Sequence, residues 1–125
     1  VVKTYALDRM EDVKVEAETF VTDPSFDPES FVKDSFGIIF TQAEPREVVI
    51  RTSTRQAKYL RALPLHSSQQ EEIHDDYSLF HYRLRLTPDL VQELLSHGPD
   101  IKVVEPPELR AMVTTALRDA LRQYD

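Results

Sequence analysis

Three arginines, on two segments that alternate between apolar and polar residues, are the side chains best suited to chemistry in this sequence. Arg83 and Arg85 lie in YSLFHYRLRL, from Tyr77 to Leu86, and Arg51 lies in REVVIRT. Alternation places the three guanidinium groups on the polar faces of two predicted strands. Because guanidinium groups bind phosphates through paired hydrogen bonds, we expect an anion-binding role. The alternative is that the arginines are solvated or form ion pairs with Glu47, Glu71 and Glu72.

Side chains that could support catalysis are present, but they show no catalytic pattern. The histidines are scattered without metal-ligand spacing, at His66, His74, His81 and His97. Two acidic pairs, Glu71-Glu72 and Asp75-Asp76, resemble a polar strand edge and a turn rather than paired general acids. There is no cysteine, and two glycines are too few for a glycine-rich phosphate loop. We therefore expect no enzymatic activity, no metal and no cofactor.

Charge is distributed unevenly along the chain. The net charge is −7, but residues 46–86 carry seven basic and five acidic side chains, whereas both flanking stretches are acidic. A locally basic sheet within an acidic chain favours a specific anionic ligand over sliding along a DNA duplex. No apolar run reaches the roughly 20 residues of a membrane span, and no signal-peptide pattern opens the chain, so we expect a cytoplasmic protein with no membrane partner.

The residues from Arg46 to Val104 contain six predicted elements in the order strand, helix, strand, strand, helix, strand. This order is that of the ferredoxin-like fold, an α+β class in which two helices cover one face of a four-stranded antiparallel sheet. The first and third strands lie side by side in its centre. Arg51 is therefore expected on the uncovered face, together with His81, Arg83 and Arg85, and with Lys102 or Val104 beside them.

Local patterns also assign caps and core residues. Thr54 is predicted to cap the first helix, and Thr87-Pro88-Asp89 to begin the second. Val49 is expected to point outward, and the polar second strand, QQEEIHDD, is predicted to be an edge. The predicted inward residues are Val48, Ile50, Ala57, Leu60, Leu63, Ile73, Phe80, Tyr82, Leu84, Leu86, Leu90, Val91, Leu94 and Leu95.

Further elements flank this unit. Val1 to Leu7 and Val13 to Phe20 read as strands, and Asp27-Pro28 begins a short helix, PESFVKDSF. Pro106-Pro107 opens a long final helix with an apolar stripe that the four-stranded unit does not need for its own core. That stripe must lie across the open face of the sheet, against the N-terminal segment, or against a second chain.

Several segments resemble the C-terminal part of WYL-domain transcriptional regulators. LDRM, from Leu7 to Met10, resembles the end of a WYL domain, and FDPESFVKDSFGI resembles the segment that follows it. VVIRTSTRQAKYLRALPLHSSQ and LRLTPDLVQELLSHGPDIKVVEPPELR resemble the C-terminal extension. The tryptophan-tyrosine-leucine triplet that names the domain is absent, since the chain has no tryptophan. The resemblance implies the tail of a WYL domain and a connector in residues 1–44 and a ferredoxin-like extension domain in residues 45–125.

The resemblance carries a few residues over. Arg9 matches the arginine of the family's leucine-aspartate-arginine-isoleucine run, and Lys3 lies where a basic residue is frequent. Both are implied to face an anionic ligand, although Arg9 could instead form a salt bridge with Asp8, Glu11 or Asp12. His66 matches a histidine of the family's tryptophan-histidine-proline-serine-glutamine loop, in which Leu65 and Ser67 replace two members.

Together, residues and resemblance indicate a C-terminal piece of a longer bacterial regulator. We expect this piece to sense a single-stranded nucleic acid or a nucleotide-like anion and to form a homodimer. Duplex DNA would be contacted only by a helix-turn-helix domain upstream. The alternatives are a purely structural dimerisation module, and a small-molecule sensor that would need a pocket between the sheet and the final helix.

Overall fold

The structure, a computed structural model, describes residues 3–37 and 43–125. These residues contain four strands and four α-helices. The helices are α1 (Pro28–Val32), α2 (Thr54–Ala62), α3 (Pro88–Ser96) and α4 (Pro107–Arg122). The strands are β1 (Arg46–Ser53), β2 (Gln70–Ile73), β3 (Tyr77–Leu84) and β4 (Ile101–Glu105). Short 3₁₀ turns occupy Leu7–Arg9 and Gly98–Asp100.

The strands form one antiparallel sheet in the order β2-β3-β1-β4, with β1 and β3 in the centre. Register pairs Ile50 with Phe80 and Val48 with Tyr82. The predicted α+β, ferredoxin-like arrangement with an additional C-terminal helix is confirmed, as is the position of β2 at an edge. Reading the sequence alone was sufficient here because β3 alternates strictly between core and open face.

The core lies between the sheet and the helices. Phe80 and Ile50 are fully buried, and Leu84 and Leu90 are nearly so. The core cluster also contains Val48, Ala57, Leu60, Tyr82, Val91, Leu94, Val103 and Leu109, with Leu86 and Leu95 packed against it. Thr87 caps α3 as predicted, its hydroxyl accepting a hydrogen bond from the Leu90 amide at 3.2 Å.

Three local predictions were wrong, those for Thr54, Leu63 and Ile73, whereas Val49 points outward as predicted. Ser53, rather than Thr54, caps α2, accepting from the Gln56 amide at 3.1 Å. Leu63 is 79% exposed and Ile73 is 71% exposed, because each ends its element beyond the reach of the opposing layer. Val49 faces the open side but is only 7% exposed, since β1 has a strand on either side.

The N-terminal region differs most from expectation. Residues 3–30 are all exposed, and no strand occurs between residues 3 and 37, whereas two were predicted from Val1 to Leu7 and from Val13 to Phe20. A strand requires a hydrogen-bonding partner, and the described residues offer none to this stretch. Val1 and Val2 lie outside the described residues. The helix begins at Pro28 as predicted, with Asp27 accepting from the Glu29 amide, but it ends at Val32.

The final helix, α4, packs against α3 and β4 rather than across the open face. Its residues from Pro107 to Ala116 supply buried Leu109 and partly buried Val113 and Ala116. Leu117, Leu121 and Tyr124, in and just after its second half, are 54%, 62% and 89% exposed. The stripe is therefore only partly covered within one chain. None of the helices in residues 3–37 and 43–125 combines the length and the apolar character that crossing a bilayer requires.

Candidate anion-binding site

The open face of the sheet carries the predicted site. Glu47 and Arg51 project from β1, and His81 and Arg83 project from the neighbouring β3, in a register that pairs Glu47 with Arg83 and Arg51 with Leu79. Arg51 is thus four residues along the sheet from Arg83, or about 13 Å. The structure places both guanidinium groups on one face but does not bring them into contact.

His81 occupies the space between the two arginines. Its Nδ1 lies 3.3 Å from a Glu47 carboxylate oxygen, and its Nε2 lies 3.1 Å from Glu72. Glu72 also accepts a hydrogen bond from His74 Nε2 at 2.8 Å. The hydrogen bonds from His81 and His74 lower the pKa of Glu72. Both His81 contacts act together as hydrogen bonds only when the imidazole is protonated, because a neutral ring has one N–H donor.

These contacts bear on the alternative that the arginines are neutralised by neighbouring acids. Glu47 and Glu72 bind histidines, and Glu71 accepts two hydrogen bonds from Arg61 on the helix-covered side. Within the described residues neither Arg51 nor Arg83 forms an ion pair. The three acids considered as partners of the arginines are therefore engaged elsewhere.

Arg51 is held by an aromatic ring. Its guanidinium carbon lies 4.0 Å from the centre of the Tyr77 ring, and Tyr77 stacks on His74 with 4.5 Å between ring centres. Contacts of this kind fix a cation without neutralising it. Lys102 on β4 is the register partner of Arg51, which confirms the expectation that Lys102 flanks the central arginine.

Arg83 is exposed at the other end of the face. Its backbone amide donates to the Ser68 hydroxyl at 3.0 Å, and its guanidinium makes no hydrogen bond to the part of the chain that the structure describes. Arg83 is therefore available to a ligand at the surface.

Arg85 has different surroundings. Its Nε donates to the Ala43 carbonyl at 2.8 Å and its amide donates to the Asp34 carbonyl at 2.8 Å, so the residue ties the connector before β1 to the end of β3. Because its side chain is half-buried, Arg85 is less accessible than Arg51 and Arg83. The structure assigns it a packing contact that the alternation did not reveal.

Lys3 and Arg9 lie apart from the sheet face, in the exposed residues 3–30. Arg9 ends the turn Leu7–Arg9, and its amide donates to the Ala6 carbonyl at 3.2 Å. Neither side chain forms an ion pair within the described residues, so the salt bridge considered for Arg9 is not formed there. No hydrogen bond or ring contact among the described residues joins Lys3 or Arg9 to Arg51, Arg83 or Arg85.

The loop that contains His66 supports this face through contacts that the sequence alone did not predict. Gln69 accepts from the Tyr82 hydroxyl at 2.7 Å and from the Leu65 amide at 3.1 Å, and donates to the Leu60 carbonyl at 2.8 Å. His66 lies 2.8 Å from the Ser68 hydroxyl and 2.6 Å from the Lys33 carbonyl. The signal that could have revealed these contacts is the run of polar residues in LHSSQ between α2 and β2, since buried polar groups need partners.

Two further features limit the chemistry of the site. No three His, Asp or Glu side chains among the described residues are arranged to hold a metal ion. The apolar cleft, of about 670 Å³, lies between α3 and α4, lined by residues such as Val91, Leu95 and Met112. A small-molecule sensor was expected to need a pocket between the sheet and the final helix. The apolar cleft lies between α3 and α4 instead.

Comparison with known proteins places these observations in a family. Residues 44–121 match the WCX domain. Among solved structures, proteasome accessory factor B/C (PafBC) of Arthrobacter aurescens is similar, with 22% sequence identity and a TM-score of 0.44 over 77% of this chain and 14% of that protein. The chain thus spans a small part of the length of that relative. A comparison with curated proteins found no match.

The family match covers more than half of the chain and includes all four strands, α2, α3 and most of α4. It agrees with the resemblance to the C-terminal part of WYL-associated regulators that the sequence carries. This chain belongs to the WCX domain family.

Proposed function

We propose that this chain is the ligand-sensing and dimerising part of a bacterial transcription regulator, and that its open sheet face binds a single-stranded nucleic acid or another extended nucleotide-like anion. One observation carries the proposal: Arg51 and Arg83 project from the two central strands as cations without ion-pair partners among the described residues. Unpaired guanidinium groups on a rigid sheet are prepared to bind phosphate.

The spacing of the two arginines favours an extended ligand. A separation of about 13 Å along the strands is too long for one phosphate group to reach both guanidinium groups. His81, between them, adds a third positive group only when it is protonated and withdraws Glu47 and Glu72 from the arginines. A chain of phosphates running along β1 and β3 would satisfy both ends of the face.

The remaining parts of the proposal follow from the resemblance to WYL-domain regulators. Duplex DNA would be bound by a helix-turn-helix domain upstream, and this chain would report ligand occupancy to it in the cytoplasm. Lys3 and Arg9 would contribute to the same ligand through the WYL domain tail. No catalytic step is proposed for the chain.

The test is fluorescence anisotropy of a labelled single-stranded oligonucleotide, titrated with the chain at two salt concentrations. Binding should weaken with salt, with a logarithmic slope of about 0.7 for each phosphate contacted. Arg83→Ala should weaken binding and reduce that slope by roughly one contact. Arg118→Ala, which removes an exposed arginine of α4, is the matched control and should leave both unchanged. Equal losses in the two variants would reduce the effect to net charge and overturn the proposal.

The exposed end of α4 favours a second candidate, a structural dimerisation module. Leu117, Leu121 and Tyr124 continue the apolar stripe beyond the part covered by α3 and β4. Sedimentation of the Leu117→Glu, Leu121→Glu variant distinguishes the two functions. If this variant no longer forms a dimer but still binds the oligonucleotide, assembly and sensing are separate properties of the chain. If the wild-type chain forms a dimer but binds no oligonucleotide, assembly is its role.

A further inference from the structure

Two cations face each other across the β1–β4 pair. Arg51 and Lys102 are register partners on adjacent antiparallel strands, and both side chains are exposed. Like charges in this position destabilise a sheet, because the side chains project in parallel about 5 Å apart. No ion pair within residues 3–37 and 43–125 relieves either one. An anion bound between the two side chains would relieve this repulsion.

A cleft lies at this pair. Its volume is about 260 Å³, and its lining includes Arg51, Lys102, Ser53 and Tyr77. Tyr77, backed by His74, supports the guanidinium of Arg51 from one side, so the cation is positioned before any ligand arrives. A fixed cation loses less conformational entropy on binding than a freely rotating one.

The start of α2 adds to the positive potential. Ser53 caps this helix by accepting from the Gln56 amide, and the first turn contains no acidic residue. A helix N-terminus carries a partial positive charge that an acid in the first turn would offset. Because Ser53 lines the cleft, the N-terminus of α2 begins at its edge, and the Asp100 carboxylate that accepts from Ser53 offsets part of its charge.

Two acidic groups also line the cleft. Asp76 and Asp100 line it with Pro99, and Asp100 accepts a hydrogen bond from the Ser53 hydroxyl at 3.2 Å. Carboxylates repel a second phosphate but accept hydrogen bonds from hydroxyl groups. The cleft thus offers two cations to one anionic group and two acceptors to a neighbouring alcohol.

We propose that this cleft is a binding site for a phosphate monoester carried on a hydroxylated group, such as a sugar. Arg51 and Lys102 hold the dianionic phosphate, and Asp76 and Asp100 accept from the hydroxyl groups. The phosphate could belong to a free sugar phosphate or mononucleotide, or to the 5′-phosphorylated end of a single strand. The cleft shares Arg51 with the function proposed for the open face, but Lys102 belongs only to the cleft and Arg83 lies outside it, so variants of these two residues separate the proposals.

The experiment measures thermal stabilisation and calorimetric affinity of the chain with four probes. Glucose 6-phosphate and adenosine 5′-monophosphate test free monoesters. A 5′-phosphorylated thymidine dinucleotide tests a strand end, and its 5′-hydroxyl form, which retains only the internal diester, is the control. A monoester that binds the folded chain and not the unfolded chain should raise Tm. We expect at least one source of monoester to do so at millimolar concentration, and the 5′-hydroxyl dinucleotide to bind at least tenfold more weakly than its phosphorylated form.

Variants separate the cleft from the rest of the surface. Lys102→Met should weaken monoester binding at least tenfold, as should Arg51→Gln, while Lys58→Met, which removes an exposed lysine of α2 outside the cleft, should leave it unchanged. Without ligand, Lys102→Met should melt at the same temperature as the wild-type chain or higher, because a like-charge contact is removed.

Three results would overturn the site. The first is no stabilisation by any monoester at about 10 mM, which is about ten times the upper end of ordinary substrate KM values. The second is equal and measurable affinity for the two dinucleotides. The third is a lower Tm of unliganded Lys102→Met with unchanged binding. Loss of oligonucleotide binding in Arg83→Ala with intact monoester binding would separate this site from the open face.

Discussion

The carboxylate of Glu71 accepts two hydrogen bonds from the guanidinium of Arg61, at 2.5 and 2.8 Å. A third comes from the Ser78 hydroxyl at 2.7 Å. The three residues belong to β2, α2 and β3, so one carboxylate joins the edge strand to the helix above it and to the neighbouring strand. These hydrogen bonds, first that from Arg61, lower the pKa of Glu71.

This carboxylate predicts a pH dependence of stability. Since the pKa of Glu71 is lower in the folded chain than its ordinary value of 4.5, its contribution is present above that value. The contribution is lost as the pH falls through the folded-state pKa. Urea unfolding at a series of pH values should therefore show a steeper acid loss in the wild-type chain than in Glu71→Gln. Parallel curves of stability against pH for the two chains would contradict the assignment to Glu71. Glu72 and Glu108 are present in both chains, so their contributions cancel in the comparison.

Replacing the cap of α3 should destabilise the chain by about 1 kcal/mol, within a range of roughly 0.5–2. The hydroxyl of fully buried Thr87 accepts from the Leu90 amide, and Thr87→Ala leaves that amide without its partner. Thr87→Ser keeps the hydroxyl and should recover most of the loss. Thr114→Ala is a useful control, because the Thr114 hydroxyl bonds to the Arg110 carbonyl within α4. Equal free energies of unfolding for the Thr87 and Thr114 variants would count against the cap.

Two glycines with positive φ should respond differently to alanine. Gly37 has φ +74°, and an added Cβ would collide with the Asp89 carboxylate at the start of α3. Gly98 has φ +58°, but an added Cβ would enter open space. The conformation alone costs about 1–2 kcal/mol at either site. Denaturant unfolding should show Gly37→Ala to be the more destabilised variant, and the reverse order would mean that the Asp89 side chain yields without cost.

Tyr82 links the core to the polar loop. Its hydroxyl donates to Gln69, so Tyr82→Phe should cost about 1 kcal/mol. Burial raises the pKa of Tyr82, which means that the folded chain resists its ionisation. Stability should therefore fall as the pH rises above about 10, where the unfolded chain ionises this group. Unfolding followed in alkaline buffers checks the sign, since Tyr82→Phe should lose less stability over that range than the wild-type chain.

The parts of the fold that could be predicted are those set by local patterns. The alternation around Phe80 and the Thr87-Pro88-Asp89 start of α3 each specify an element from a few neighbouring residues, and both are confirmed. The boundaries of helices were harder to predict where two neighbouring residues could form the same cap. Ser53 and Thr54 are both hydroxyl residues at the start of α2, and only the backbone geometry shows which one accepts from the Gln56 amide.

The candidate site was less predictable because it depends on register between distant segments. Glu47 and Glu72 reach His81 from different strands, 34 and 9 residues away in sequence, and so leave the arginines unpaired. The half-buried position of Arg85 arises from contacts to Ala43 and Asp34, which belong to no strand. Alternation predicted the face of each arginine correctly but carried no information about these neighbours.

The two outer strands of the sheet limit how copies of this chain could join. β2 is four residues long and bears two carboxylates, while β4 is five residues long and is followed directly by Pro106 and Pro107, which have no amide hydrogen to donate. Short, charged edges and prolines discourage an incoming strand from continuing the sheet. A crowded solution of the folded chain should therefore resist β-sheet aggregation, and any ordered assembly must use helix surfaces or the broad face instead of extending the sheet.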